Sequence, residues 1–323
     1  VTFYLDTKPN FIDPLFAIAI GKFYKIKTKP DDDPMRAINN DKNSMGIVFK
    51  NYANTLYLKN KYPNIRTITN LYFEYLTIIS KLDSAIVTFN QIRVELPTVL
   101  VLAKHDDILK PIIKELFPNN KVKIVDRVDF LTNEKSIILY ISAEYSKELD
   151  ALSKKYKFLI IDVPKDVDSN GLIRLKYPEL RYSKMDISNI VSNIITLNIH
   201  KLVNTYQFTR TLICNKDADI HNFTKSLFEN IENVRMSDLD KYYKMPMEFL
   251  SPELIINFSI IPIHKDVENY FRKLGIIMNI KDPMCKNVAG TLQCEPICKN
   301  VIGTIKCQPD VLWQNRFRLL GLV

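Results

Sequence analysis

Short β-rich runs alternate with amphipathic helical runs along the first half of this chain, and that alternation limits the fold more than any other feature. Val1–Leu5 reads as a strand and Phe11–Phe23 as a helix with Phe11, Leu15, Ile18 and Ala19 on one face. Tyr24–Thr28 reads as a strand, Lys29–Pro34 as a turn, and Asp33 as the N-cap of a helix with Pro34 at its first position. Ser44–Phe49 is a strand, Asn51–Tyr62 a helix, and Ile65–Leu71 and Leu76–Ser80 two more strands. The unit repeats with strands at Thr98–Leu102, Val122–Val125, Ile137–Ile141 and Phe158–Val163, and a helix at Asp106–Phe117. Later helices are expected over Ile220–Val234 and after His264, the second stopping at Gly275. Such a pattern implies α/β architecture, and 323 residues are enough for two lobes.

Glycine is scarce. The chain has 7 in 323 residues, roughly 2% where ~7% is usual, so few positions combine positive φ with a bare backbone. Its formal charge is +9, which favours acidic partners in general. The Lys residues are dispersed, and no zinc-finger or RNA-binding signature occurs, so nucleic acid is not expected as a partner. No apolar run reaches the ~18–20 residues of a membrane span. The start carries no signal-peptide pattern, although a leader removed before Val1 would leave none. Serine elbow, P-loop and Rossmann fingerprints are absent, and the four His residues share no metal spacing. Neither a cofactor nor an enzyme activity is expected. His264 reads as a structural hydrogen-bonding residue and Cys214 as a small buried hydrophobe.

Near the C-terminus a segment is written twice at a period of thirteen: Cys285-Lys286-Asn287-Val288-Ala289-Gly290-Thr291-Leu292-Gln293-Cys294 and Cys298-Lys299-Asn300-Val301-Ile302-Gly303-Thr304-Ile305-Lys306-Cys307. If each copy is a hairpin turning at Ala289-Gly290 or Ile302-Gly303, the two Cys residues of a copy stand opposite each other. The spacing therefore predicts disulfides 285–294 and 298–307, with two other pairings and a zinc site as alternatives, and an oxidising compartment. The apolar tail with Trp313, Phe317, Leu319 and Leu320 is expected to dock on another protein subunit.

Five segments resemble the TAXI family of extracytoplasmic solute-binding proteins over about residues 1–280. They are Phe11–Ala19, Asp41–Val48, Tyr62–Ile68, Thr224–Asn230 (Thr-Lys-Ser-Leu-Phe-Glu-Asn) and Ile261–Gly275, which contains Pro262, His264, Tyr270 and Phe271. The resemblance implies a two-lobed, type 2 periplasmic-binding-protein-like α/β fold followed by a small disulfide-stapled β-hairpin segment. Expected boundaries are 1–93 with 195–280 for the first lobe, 94–194 for the second and 281–323 for the appendage. The family's glycine-rich ligand turns correspond here to Thr7-Lys8-Pro9-Asn10, Thr28-Lys29-Pro30-Asp31 and Lys104-His105-Asp106-Asp107. Turns without glycine present fewer main-chain amides to an anion.

These observations imply a non-enzymatic structural or interaction protein on a degenerate solute-binding scaffold, set in a virion or other extracellular assembly, for which a small-molecule ligand is doubtful. The alternative is a working extracytoplasmic receptor for a small anionic metabolite. In that case Thr7, Asn10, Thr28, Lys104 and His105 are the candidate ligand-binding residues. Asp31-Asp32-Asp33 reads as a solvated helix start rather than a cation site.

Overall fold

The computed structural model describes residues 1–7, 12–131, 134–143, 146–168, 180–187, 202–230 and 260–274, single positions 173 and 233, and the backbone of four short strands between 285 and 307. The first half of the fold has β1 (Thr2–Asp6), α1 (Ile12–Gly21), β2 (Lys27–Asp31), α2 (Pro34–Asn40), β3 (Ser44–Phe49) and α3 (Lys50–Leu58). A 17-residue strand follows, β4 (Ile65–Lys81). The second half has α4 (Phe89–Glu95), β5 (Thr98–Leu102), α5 (Asp106–Leu116), β6 (Val122–Val125), β7 (Ser136–Ser142), α6 (Lys147–Lys155), β8 (Phe158–Ile161) and β9 (Arg181–Asp186). The 14-residue β10 (Leu202–Asn215) returns to the first half, where α7 (His221–Glu229) and α8 (Lys265–Lys273) pack on each other.

The strand order makes the two halves copies of one plan. The first runs β2-β1-β3-β10-β4, parallel except for β10; the second runs β6-β5-β7-β4-β8, parallel except for β4. Each half thus borrows its antiparallel strand from a chain segment that crosses between them. The crossing point is sharp. Tyr75 is the residue of β4 that faces both Gln207 of β10 and Ser142 of β7, and Gln207 is where β10 passes from β9 to β4. This strand order fits the type 2 α/β fold that the resemblance implies.

Local chemistry explains the elements. Thr88 and Gln91 form a capping box at α4, and Ser146 caps α6 by accepting from the Leu149 amide. His264 caps α8: its Nδ1 accepts from the Asp266 amide at 3.2 Å and its other ring nitrogen meets the Lys216 carbonyl at 3.1 Å. Gly46 is required by packing, because a Cβ there would sit 2.5 Å from the Tyr4 carbonyl oxygen on β1. Cys214 is buried in β10, where loss of solvent pushes its thiol pKa well up.

Two local expectations are revised. β2 lies three residues later than the alternation suggests and includes Pro30, which the sheet accepts because β2 is its edge strand. The two strands expected at 65–71 and 76–80 are one continuous strand, β4. Its interior polar residues, Asn70 and Glu74, belong to the crossing region and do not mark a break.

The C-terminal hairpins pair in the predicted register, β11 (Cys285–Val288) with β12 (Thr291–Cys294) and β13 (Cys298–Val301) with β14 (Thr304–Cys307). The disulfide staples are corrected, however. Among the described residues no pair of cysteines stands at bonding distance. Facing Cα positions come from the backbone ladder and the two-residue connection alone, and hairpin pairing does not require an S–S bond. The turn residues and the apolar tail lie outside the described residues.

Candidate functional site

β3 pairs with β10 and β7 with β4, and charged groups gather at the seam where those two crossing strands meet. Arg210 of β10 and Tyr72 of β4 are register partners, so their side chains leave one face of the sheet together. Glu74, two residues on, shares that face. All three are buried, as is Asp13 in the first turn of α1. The Arg210 guanidinium bonds the Asp13 carboxylate through Nη2 and lies 3.8 Å from Glu74 through Nε. The Tyr72 hydroxyl donates to the other Asp13 oxygen at 2.5 Å. The guanidinium also stacks 4.2 Å from the centre of the Phe49 ring, at the end of β3.

Burial pushes the Asp13 carboxyl pKa up, while Arg210 and Tyr72 oppose that rise. Burial also works against the charge on Arg210, but Asp13, the Tyr72 oxygen and Glu74 more than compensate, so the guanidinium stays protonated. Loss of solvent and the Asp13 charge hold the Tyr72 phenol neutral. The seam therefore contains a cation committed to the chain's own carboxylates.

The second half contributes a different set. His105 follows β5 and is buried; its Nδ1 accepts the Ile141 amide at 3.3 Å. Burial, with Lys104 and Arg210 adding repulsion, drives its pKa well below the ordinary value. It is neutral, with its proton on Nε2. Its ring packs 5.2 Å from that of Tyr140. Lys104 pairs with Glu148 at 3.1 Å and sits 5.5 Å above the Tyr140 ring. Glu148 loses solvent, yet Lys104 keeps its carboxyl below the usual range. Across the seam the Tyr52 hydroxyl of α3 donates to Asp107 of α5 at 3.3 Å; burial and that carboxylate push the phenol up to about 12.

The candidate residues named from sequence separate into two groups. Lys104 and His105 are at the seam. Thr7 is exposed after β1 and donates to Asp32 at 2.5 Å, and Thr28 is exposed in the edge strand β2. Asn10 lies outside the described residues. Asp31 and Asp33 serve the turn into α2, Asp33 by accepting from the Arg36 amide and from Tyr62. Sequence reasoning missed Asp13, Tyr72, Glu74 and Arg210. The available signal was charge inside apolar strand runs, namely Glu74 between Phe73 and Tyr75 and Arg210 between Thr209 and Thr211. Asn51 and Asn54 of α3 were also missed; both are buried, and the Asn54 amide has no hydrogen-bond partner at either atom.

Neither the family models nor the curated proteins return a match to this chain. Among solved structures it is similar to a TctC solute-binding protein from Polaromonas, with 11% identity, 85% of this chain and 97% of that one covered, and a TM-score of 0.42. It is similar to the arginine-, lysine- and histidine-binding protein ArtJ from Geobacillus stearothermophilus, with 11% identity, 76% and 96% covered, and a TM-score of 0.41. It is also similar to the amino acid transporter substrate-binding protein AbpA from Streptococcus pneumoniae bound to L-arginine, with 12% identity, 75% and 92% covered, and a TM-score of 0.37. Strand order, rather than these modest scores, carries the fold assignment.

The class defined by the topology is a type 2 periplasmic-binding-protein-like α/β fold. The expectation that a small-molecule ligand is doubtful is corrected: the solved structures similar to this chain include one bound to L-arginine. The physical reason is that loss of glycine turns removes main-chain donors only. Here the seam's polar groups are side chains. Among the described residues no group of three or more His, Cys, Asp and Glu is placed to hold a metal ion, and no helix is long and apolar enough to cross a membrane.

Proposed function

We propose that this protein is an extracytoplasmic solute-binding receptor of the TAXI kind for a small metabolite carrying a carboxylate. The lobes are taken as 1–93 with 195–280 and 94–194, with Lys104 and His105 taken as ligand-binding residues and Thr7, Asn10 and Thr28 as further candidates. One observation carries the reading. Arg210, a buried guanidinium on a crossing strand, is placed where both halves reach it, and its partner is an α1 carboxylate that a ligand carboxylate can replace in kind. Lys104 supplies a second cation from the other half. Nothing among the described residues or the matched structures ties the chain to a virion or coat.

A thermal-shift panel of acetate, succinate, L-glutamate, L-arginine and citrate tests it. Ligand at a hundredfold over its dissociation constant stabilises by about 2.7 kcal/mol, a rise of roughly 4 °C for a chain of this size. The expected result is such a rise with at least one carboxylate, lost in Arg210→Met. No rise with any compound at millimolar concentration would refute the reading.

A further inference from the structure

We infer that Asp13 is an internal occupant of the anion site, and that a ligand carboxylate displaces it from Arg210 with uptake of one proton. The inference rests on the receptor reading above and goes beyond it, because it fixes how the site is vacated.

The geometry supports it as follows. Asp13 is held by two donors from two different strands, Arg210 of β10 and Tyr72 of β4, and all three groups are buried. Its own element is a ten-residue helix outside the sheet, so Asp13 and its two donors belong to three different elements. The charged and titratable groups facing Asp13 are Arg210 from β10, Tyr72 from β4 and Asp6 from β1; Glu74 of β4 and His105, from the other half, face Arg210, and His105 is neutral. With Glu74 also beside the guanidinium, one cation already has two carboxylates within reach. Adding a ligand carboxylate would put three anions on Arg210 in a region without solvent. The site avoids this if one anion is neutralised as the third arrives. Asp13 is the group to neutralise, since it is the carboxylate the guanidinium bonds directly and burial already opposes its charge. The exchange balances: the ligand anion enters, Asp13 leaves the guanidinium, one solvent proton closes the Asp13 carboxyl, and the net charge of the site is unchanged.

Calorimetric titration of the full chain with succinate and with L-glutamate, between pH 4.5 and 8 in buffers of differing ionisation enthalpy, reads the proton count directly. The expected result is uptake of close to one proton per ligand and an affinity that falls about tenfold per pH unit above the Asp13 pKa of the free protein. Asp13→Asn should bind with no proton uptake and a flat pH profile. Tyr72→Phe removes a bond that favours the Asp13 anion, so the break in its profile should move to higher pH. If Asp13→Asn fails to fold, the wild-type proton count and the Tyr72→Phe shift still decide. Binding of either probe without proton uptake overturns this inference and leaves the receptor reading standing. Binding of neither probe at any pH, with no rise in the thermal-shift panel, overturns both.

Discussion

The two halves of the sheet follow one plan but treat charge at the seam in opposite ways. The first half, with the crossing strands, buries an ion-paired cluster: Asp13, Glu74 and Arg210 are all fully enclosed. The second half places a neutral imidazole at the equivalent depth and keeps its ion pair, Lys104 with Glu148, partly in solvent, the carboxylate side chain being 41% exposed. The first arrangement depends on keeping every partner, since a lone buried charge is expensive. The second tolerates loss. Strand packing differs in the same sense. β3 needs Gly46 to lie against β1, whereas its counterpart β7, Ser-Ile-Ile-Leu-Tyr-Ile-Ser, has no glycine and packs by side chains.

The largest effect should come from breaking the buried cluster. Arg210→Met leaves two buried carboxylates without their cation and should cost about 3–5 kcal/mol in urea denaturation. The double variant Asp13→Leu with Arg210→Met should cost less than the sum of its single changes. Additivity of the two would remove the contrast drawn here. Gly46→Ala should cost about 1–3 kcal/mol, because the new Cβ meets backbone that has to shift. The matching change of Ile138→Val in β7 should cost only about 1 kcal/mol.

A third test uses pH. The unfolded His105 takes a proton near pH 6.5, the folded one only well below that. Between these values the unfolded state binds more protons, so stability falls as pH falls, by about 1.4 kcal/mol per pH unit per histidine. His264, whose pKa burial also lowers, adds to the slope. His105→Asn should flatten the stability profile below pH 6.5 by about one proton, and an unchanged slope would show that this imidazole is charged in the fold. The smallest effect belongs to Lys104→Met, under about 1 kcal/mol because Glu148 remains solvated.

Most elements of the fold were legible one by one. Ser44–Phe49, Thr98–Leu102 and Val122–Val125 have the bounds that their apolar runs predict, and α5 begins at Asp106 as expected. Those segments bury side chains in a local pattern, and local pattern is what a sequence displays. β4 and β10 were not legible as wholes, because each is buried by different partners along its two ends and so lacks a single period. The candidate site failed for a related reason. Lys104 and His105 were found because the end of a strand is a place sequence can mark. Arg210, Tyr72, Glu74 and Asp13 come from three elements up to 197 residues apart and meet only when the strands cross.

The amino-acid order by itself determined the alternation of strands and helices, the two rounds of that plan and the register of the C-terminal hairpins, since each depends on contacts between near neighbours. It did not determine a cysteine bond, because facing backbone positions do not oblige two sulfurs to join. The exchange of long strands between the halves, and with it the burial of one guanidinium among carboxylates from distant segments, was decided by tertiary structure. A buried charge is tolerable only where its partners have already been brought together, and no stretch of sequence holds those partners side by side.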